Sequence, residues 1–184
     1  MTDISFSQYS GLVLRHHIEI IKRELMIVGE IRERTYVRLD KQLKLLENNE
    51  GDITLVLNSV GGDISATFAI IDRIVMSPCN IHIIGTGNIM SAALSILVSG
   101  TTKRATKYTN FMHHGLSSFT HGYENVPTKE HELKICKEMD RMRFKHLSEN
   151  TKKPYSFWSS TGKHLDHMFN ADLALEYGLI DEIL

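Results

Sequence analysis

Ser91 is the residue whose type and setting point most directly to chemistry. It lies where a predicted buried strand, 81–85, continues through a glycine-rich stretch into a helix predicted to begin at Ala92. The first amides of a helix have no partner within it, so a hydroxyl at this junction lies beside groups that can bind an oxyanion. Small neighbours (Gly87, Ala93) leave room for a substrate backbone. A serine here can also simply cap the helix, and the local sequence leaves both interpretations open.

A pair of glycines, Gly61 and Gly62, follows the predicted strand 53–57. The carboxyl ends of parallel strands form the edge of an α/β sheet at which ligands usually bind. Glycines at that edge let a peptide or acyl group lie against the backbone, because they have no side chain. The alternative interpretation is an ordinary tight turn.

Two histidines, His113 and His114, stand at the end of a predicted short strand that begins at Phe111. Successive side chains of a strand point to opposite faces of the sheet, so only one of the two imidazoles can face a shared active site. A serine nucleophile needs a base such as histidine within hydrogen-bond distance. A purely structural histidine is the competing interpretation.

A third polar cluster contains His164, Asp166 and His167. Its residue types suggest a metal site, but the chain has no His-Glu-x-x-His motif, and Cys79 and Cys136 lack the spacing of metal or redox ligands. The other chemical role for Asp166 is to orient a catalytic histidine through its second ring nitrogen. A surface acid or a helix cap remains the simpler alternative.

These residues can meet only if the strands before them end at a common edge. Short apolar runs predict strands at 25–29, 53–57 and 81–85, and apolar residues at helical spacing predict helices between them. Asp63 can cap the second of these helices, and Pro78 ends it. Strand, helix and parallel strand make a βαβ unit, so the sequence predicts an α/β fold with a largely parallel sheet.

The later part of the chain predicts short strands at 103–107 and 111–114 and a long polar helix over 129–150. At about 1.5 Å per residue this helix is too long to lie wholly within a compact core. Its apolar stripe suggests a subunit contact, with a solvated flanking helix as the alternative. The stripe consists of Leu133, Ile135, Cys136, Met139 and Met142.

The composition predicts one soluble domain. The chain has 184 residues, of which 42% are hydrophobic, enough for a full core. Lys and Arg number 21 against 22 Asp and Glu, which argues against a basic nucleic-acid binder and against an acidic disordered tail. No run of about 18 apolar residues predicts a membrane span, and the N-terminus lacks a secretion signal. With only two cysteines, we expect a reducing cytoplasm.

Four segments together resemble the proteolytic subunit of the Clp protease, a serine peptidase family. Residues 57–62 (LNSVGG) are similar to the family's Asn-Ser-Pro-Gly-Gly turn, and 87–93 (GNIMSAA) are similar to its Gly-x-Ala-Ala-Ser-x-Gly nucleophile segment. Residues 111–114 (FMHH) resemble the strand that ends in the catalytic histidine, and 170–181 (NADLALEYGLID) resemble the closing segment. The resemblance covers about residues 20–184, in the family's order and at nearly its spacing.

The resemblance implies a crotonase- and Clp-protease-like α/β fold of stacked βαβ units with a protruding handle helix. It implies a single domain over 1–184, with an N-terminal segment at 1–19. The region 115–150 is similar to the family's handle, which interleaves two seven-membered rings. That role explains the apolar stripe of the long helix better than solvation does.

The resemblance also assigns site residues. It implies that Ser91 is the nucleophile and His114 the general base, with Asp166 as the candidate for the orienting acid. The N–H groups of Gly62 and Ala92 would form the oxyanion hole. Because this chemistry needs only side chains and backbone, no cofactor and no metal is implied.

The implied function is a serine endopeptidase subunit of a self-compartmentalised protease that cleaves unfolded polypeptides. We expect a homo-oligomer, a double heptameric ring, with an AAA+ unfoldase ATPase as partner and with no nucleic acid or membrane partner. One alternative is a catalytically weak or inactive structural subunit of such a ring, since the chain departs from the family's pattern around its acid. Another is a crotonase-like protein that binds acyl-CoA, which would not need Ser91 and His114 together.

Overall fold

The computed structural model describes residues 18–20, 22–116, 126–161 and 165–184, so most of the predicted N-terminal segment 1–19 lies outside the described residues. In the described part the strands are β1 (Ile18–Glu19), β2 (Glu24–Val28), β3 (Ile53–Ser59), β4 (Ile81–Met90), β5 (Thr102–Ala105), β6 (Asn110–His113), β7 (His167–Phe169) and β8 (Glu182–Ile183). The helices are α1 (Glu33–Leu46), α2 (Ile64–Val75), α3 (Ala92–Leu97), α4 (Val126–Glu149), α5 (Tyr155–Thr161) and α6 (Ala171–Tyr177).

The strands form one mixed sheet with a parallel centre. Its main order is β1-β2-β3-β4-β5-β8, in which only β1 is antiparallel to its neighbour. The connections β2-α1-β3 and β3-α2-β4 are the predicted βαβ units. Because parallel neighbours run in the same direction, β3 and β4 bring the residues that follow them to the same edge of the sheet.

β4 is longer than the predicted strand 81–85, because it changes partners along its length. Its first half pairs with β5, and its last residues, from Asn88 to Met90, pair in parallel with β6. β6 in turn pairs antiparallel with β7. Gly87 lies between the two halves with a φ of +60°, a conformation that favours glycine. The strand therefore extends to the residue before Ser91.

The main core lies between the sheet and helices α1, α2 and α3. Side chains of β3 alternate between buried and partly exposed positions, as expected for a strand with one face on a core. α1 contributes Leu39, Leu43 and Leu46, which recur at helical spacing and are almost completely buried. Asp63 caps α2 as the sequence predicts, since its side chain accepts the N–H of Ala66 at 2.6 Å.

An aromatic cluster with side chains from α4 and α5 packs against β6 and β7. The imidazole of His113 makes edge contacts with Phe144 of α4 and Trp158 of α5, at centroid distances of 5.4 and 5.1 Å. Phe111 of β6 stacks on Phe169 of β7 at 5.5 Å. Such contacts add stability beyond the area that the rings bury. The cluster therefore holds β6, which ends at His113, against α4 and α5.

α4 contacts the core near its C-terminal end, and the single chain does not test the prediction that its apolar stripe makes a subunit contact. Its core contacts come from Arg143, Phe144 and Leu147 near its C-terminal end, all of which are buried. By contrast, Leu133 and Met142 of the predicted apolar stripe are exposed. The described part of the chain has no helix that is both long and apolar enough to cross a membrane.

Candidate active site

Ser91 occupies a strained turn between a strand and a helix. β4 ends at Met90 and α3 begins at Ala92, so Ser91 alone makes the turn. Its backbone has φ 55° and ψ −121°, the conformation of the first central residue of a type II′ turn, which normally favours glycine. The backbone N–H of Ser91 donates to the carbonyl of Met112 at 2.7 Å, which ties the turn to β6. Backbone strain of this kind is concentrated at functional sites.

The structure brings His114 into contact with Ser91. Met90 and Met112 are register partners in the β4–β6 ladder, so the residues just beyond them are neighbours. His114 Nε2 lies 2.7 Å from Ser91 Oγ, which is hydrogen-bond distance. His113 points to the opposite face, where its Nε2 donates to the carbonyl of Trp158 at 2.7 Å. Strand alternation therefore separates the two histidines as the sequence predicts.

Gly61 and Gly62 lie against the same turn. A Cβ on Gly61 would stand 2.7 Å from Ser91 Cβ and 3.1 Å from the backbone nitrogen of Ala92, so no side chain fits there. The carbonyl of Gly61 accepts the N–H of Ile31 at 2.8 Å. The N–H groups of Gly62 and Ala92 donate no hydrogen bond to any of the described residues. The two amides that make no hydrogen bond to the described residues, those of Gly62 and Ala92, thus belong to segments that meet at Ser91.

The electrostatic surroundings of His114 favour its neutral form. Partial burial lowers the pKa of His114, and the positive charge of Arg143 lowers it further. The negative charges of Asp166 and Asp140 act in the opposite direction and raise this pKa. The net shift is downward, so the imidazole that contacts Ser91 is available to accept a proton near neutral pH.

The charge of Asp166 acts on His114, but the two side chains make no hydrogen bond. The carboxylate is exposed, in the segment that precedes β7, and it makes no hydrogen bond to His114. Its neighbours 162–164, which include His164 of the predicted polar cluster, lie outside the described residues. Within the described ranges, no three His, Cys, Asp or Glu side chains form a group that could hold a metal ion.

Two residues of α4, Asp140 and Arg143, reach this site without having been singled out in the sequence. Arg143 donates through Nη2 to the backbone carbonyl of His114 and, at 3.0 Å, to Asp140 Oδ1. The Asp140 carboxylate accepts the backbone N–H of Leu116 at 3.1 Å. A charged pair three residues apart on a polar helix normally indicates a solvated face, so the sequence carries no signal for these contacts.

The sequence model that describes the Clp protease family matches residues 16–184. The chain belongs to the Clp protease family. The resemblance of the four sequence segments is thereby confirmed, and the match covers the whole of the region that contains Ser91, His114 and Asp166.

Two similar proteins are proteolytic subunits of Clp proteases. The ATP-dependent Clp protease proteolytic subunit 1 of Mycobacterium leprae is 30% identical over 194 aligned residues, which cover 100% of this chain and 94% of the relative. The ATP-dependent Clp protease proteolytic subunit 2 of Mycolicibacterium paratuberculosis is 28% identical over 169 residues, covering 89% of this chain and 82% of the relative.

A solved structure confirms the fold. A ClpP1 mutant from Listeria monocytogenes superimposes with a TM-score of 0.81 at 27% sequence identity, and the match covers 90% of this chain and 92% of the other. The predicted α/β class, with a parallel sheet flanked by helices, is therefore shared with a Clp protease subunit.

Proposed function

We propose that this chain is a serine endopeptidase subunit of a self-compartmentalised ring protease and that it cleaves unfolded polypeptides in the cytoplasm. The observation that carries the proposal is the 2.7 Å contact between Ser91 Oγ and His114 Nε2 at a strained strand-to-helix turn. Membership of the Clp protease family supports peptide hydrolysis as the reaction.

In the first step Ser91 Oγ attacks the carbonyl carbon of the scissile peptide and transfers its proton to Nε2 of neutral His114. The lowered pKa of His114 keeps the imidazole in the form that accepts this proton. The carbonyl oxygen becomes an oxyanion, and the free amides of Gly62 and Ala92 are its donors. One such donor contributes roughly 10²–10³ in rate.

In the second half of the reaction the imidazolium of His114 donates its proton to the leaving amine, and the C–N bond breaks. The acyl group stays on Ser91 as an ester. Water then attacks the ester carbonyl carbon while His114 takes the water's proton. The C–O bond to Ser91 breaks, the carboxylic acid leaves, and His114 returns the proton to Ser91 Oγ. Asp166 is the third member of the proposed triad, because its negative charge favours the imidazolium.

The second candidate function is a catalytically weak or inactive structural subunit of the same kind of ring. The observation that favours it is the lack of a hydrogen bond between Asp166 and His114, although both residues are described. Hydrogen bonds in catalytic sites often tighten only when substrate binds, so this observation does not outweigh the contact between Ser91 and His114.

The proposed assembly is a homo-oligomer of two heptameric rings in which α4 is the handle. Leu133, Ile135 and Met142 of α4 are exposed in the single chain, and an interface between rings would cover them. The name of the Mycobacterium leprae relative describes it as ATP-dependent, which supports an AAA+ unfoldase as the partner of this chain. Sedimentation velocity on the purified protein tests the predicted ring mass.

A serine-reactive fluorophosphonate probe tests the proposed activity, together with hydrolysis of a fluorogenic peptide by the assembled protein. We expect the probe to label the wild type and Ser95→Ala but not Ser91→Ala, which should also lose peptide hydrolysis. Ser95 is a matched control, because it lies one turn further along α3, is fully buried, and has a hydroxyl that makes no hydrogen bond within the described part of the chain.

The outcomes separate the two candidate functions. Labelling that disappears only in Ser91→Ala supports the peptidase. Fully assembled wild-type protein that is neither labelled nor active supports the structural subunit. Equal labelling of wild type and Ser91→Ala would contradict Ser91 as the nucleophile.

A further inference from the structure

The main chain just after β6 is held by a single turn of α4. Arg143 Nη2 donates to the carbonyl of His114, and the carboxylate of Asp140 accepts the N–H of Leu116 at 3.1 and 3.2 Å. Arg143 and Asp140 also bind each other at 3.0 Å. Among the described residues, no other group makes a hydrogen bond to the backbone of 114–116. This short segment, which carries His114, therefore has one anchor.

The stability of the fold alone would not favour the Asp140–Arg143 pair. The side chain of Arg143 is 0% exposed, and its Nε and Nη1 have no hydrogen-bond partner among the described residues. Burial lowers the pKa of Arg143, which reflects the difficulty of keeping the charge away from water. Well-packed apolar residues in place of a buried ion pair are often neutral or stabilising. A buried guanidinium with two unused donors therefore calls for an explanation other than folding.

We propose that Asp140 and Arg143 are positioning residues that hold His114 at the distance and orientation needed to take the proton of Ser91. The inference rests on the proposed peptidase function. The pair acts on the backbone of 114–116 and does not touch the imidazole ring, so it takes no part in the proton transfer itself. A misplacement of about 1 Å in a catalytic geometry can cost about 10²-fold in rate, and that is the scale on which such an anchor matters.

The same pair sets the charge balance around His114. The charged groups that act on its imidazole are Arg143 and Asp140 from α4 and Asp166 from the segment before β7; the adjacent His113 is buried, with a pKa lowered to about 4 by burial and by Arg143. Arg143 lowers the pKa of His114 and Asp140 raises it. Removing one charge or the other should therefore move this pKa in opposite directions.

The test uses Arg143→Met and Asp140→Asn in the assembled protein, with kcat, KM and the pH dependence of kcat/KM measured on a fluorogenic peptide. We expect each substitution to lower kcat about 10- to 100-fold and to change KM less than about twofold. The acid limb of the pH profile, which reports the pKa of free-enzyme His114, should move to higher pH in Arg143→Met and to lower pH in Asp140→Asn.

Arg143→Lys separates geometry from charge. Lysine keeps the positive charge but cannot reproduce the planar guanidinium that spans the His114 carbonyl and Asp140. The acid limb should therefore return to its wild-type position while kcat stays reduced. Arg141→Met is the matched control, because Arg141 lies on the same helix, is 72% exposed, and pairs only loosely with Glu138 at 3.7 Å. It should behave as the wild type.

Hydrogen exchange measured by mass spectrometry gives a readout that does not depend on activity. The Leu116 amide should exchange faster in Asp140→Asn and Arg143→Met than in the wild type, with the change confined to the peptide around 114–116. If the wild type hydrolyses no peptide, the proposed function fails, while the exchange rates still decide whether the pair holds this segment.

Two results would overturn the proposal. One is wild-type exchange at Leu116 in both variants. The other is a joint fall of kcat and Tm with an acid limb that does not move, which is the behaviour of a residue needed only for folding. The positioning role instead predicts that the acid limb moves in opposite directions in Arg143→Met and Asp140→Asn, whatever the change in Tm.

Discussion

A hydroxyl–imidazole pair lies at each end of β4. At the carboxyl end, Ser91 Oγ and His114 Nε2 are 2.7 Å apart. At the amino end, Thr102 Oγ1 and His82 Nδ1 are 2.8 Å apart, and His82 Nε2 lies 3.1 Å from the carboxylate of Asp52. The second site is the more complete hydrogen-bonded series, because it joins hydroxyl, imidazole and carboxylate.

The backbone distinguishes the two sites. His82 and Thr102 are register partners near the start of β4 and β5, so the Thr102 hydroxyl projects from a regular ladder of parallel strands. Ser91 has left the ladder and stands at a strained turn into α3, beside the glycine pair at 61–62. A triad-like set of side chains is therefore not sufficient. The reaction also needs amides that are free to bind an oxyanion, and the carboxyl ends of parallel strands are where a chain provides them.

The largest effect should come from replacing, one at a time, the histidines at the two ends of β4. We expect His114→Ala to lower kcat/KM by about 10⁴–10⁶, because in a catalytic serine–histidine pair the loss of one partner removes most of the benefit of the other. His82→Ala should change kcat/KM less than about twofold. Peptide hydrolysis by the assembled variants measures both effects. A large loss in His82→Ala would mean that the amino end of β4 takes part in catalysis, against our assignment.

Asp166 and Asp52, the carboxylates that interact with His114 and His82, give the next test. Asp166→Asn should lower kcat about 10²- to 10⁴-fold, since an orienting acid can matter that much in a triad enzyme. It should also move the acid limb of kcat/KM to lower pH, because the Asp166 charge raises the pKa of His114. Asp52→Asn should leave both unchanged. Wild-type activity in Asp166→Asn would remove Asp166 from the proposed triad.

Gly61 tests the role of the backbone at the carboxyl end. In Gly61→Ala the new Cβ would lie 2.7 Å from Ser91 Cβ and 2.8 Å from the carbonyl oxygen of Met90, so the turn must shift. We expect a fall in kcat of about 10²–10³, the scale of one lost oxyanion donor. Gly29→Ala is the control, because Gly29 also has a positive φ but nothing within 4 Å of its Cβ position. Similar losses in both variants would indicate backbone strain rather than oxyanion binding.

The local sequence pattern predicted a strand well where that strand keeps the same neighbouring strands along its whole length. The start of the strand at Ile53, the Asp63 cap and the start of α3 at Ala92 all agree with the structure. The strand at 81–85 was predicted five residues too short, because its extension to Met90 depends on pairing with β6, a segment distant in the chain. The final short elements, such as α5, were not predicted, since α5 packs through aromatic contacts with a residue distant in the chain, Tyr177.

The residues of the candidate site also divide into those that the local sequence could predict and those that only the tertiary structure shows. Ser91 and His114 could be proposed from strand ends, alternation and the family resemblance, and the structure brings them together. Asp140 and Arg143 could not, because their spacing of three residues on a polar helix is typical of a surface ion pair. Only the tertiary structure shows that Arg143 is fully buried and faces the backbone of His114.

The smallest expected effect concerns the stability that the amino-end site contributes. Hydrogen bonds from His82 and then Asn80 lower the pKa of Asp52 in the folded protein. A carboxylate with a lowered folded-state pKa contributes stability above its unfolded-state pKa, about 3.9, and loses it as the pH falls through the folded-state value. Asp52→Asn should therefore melt slightly below the wild type at pH 7, and the difference in Tm should disappear in acid. A difference that stayed constant with pH would show that the ionised carboxylate is not its source, and the amino-end site would then be a neutral hydrogen-bonded cluster that resembles a catalytic triad only in its residue types.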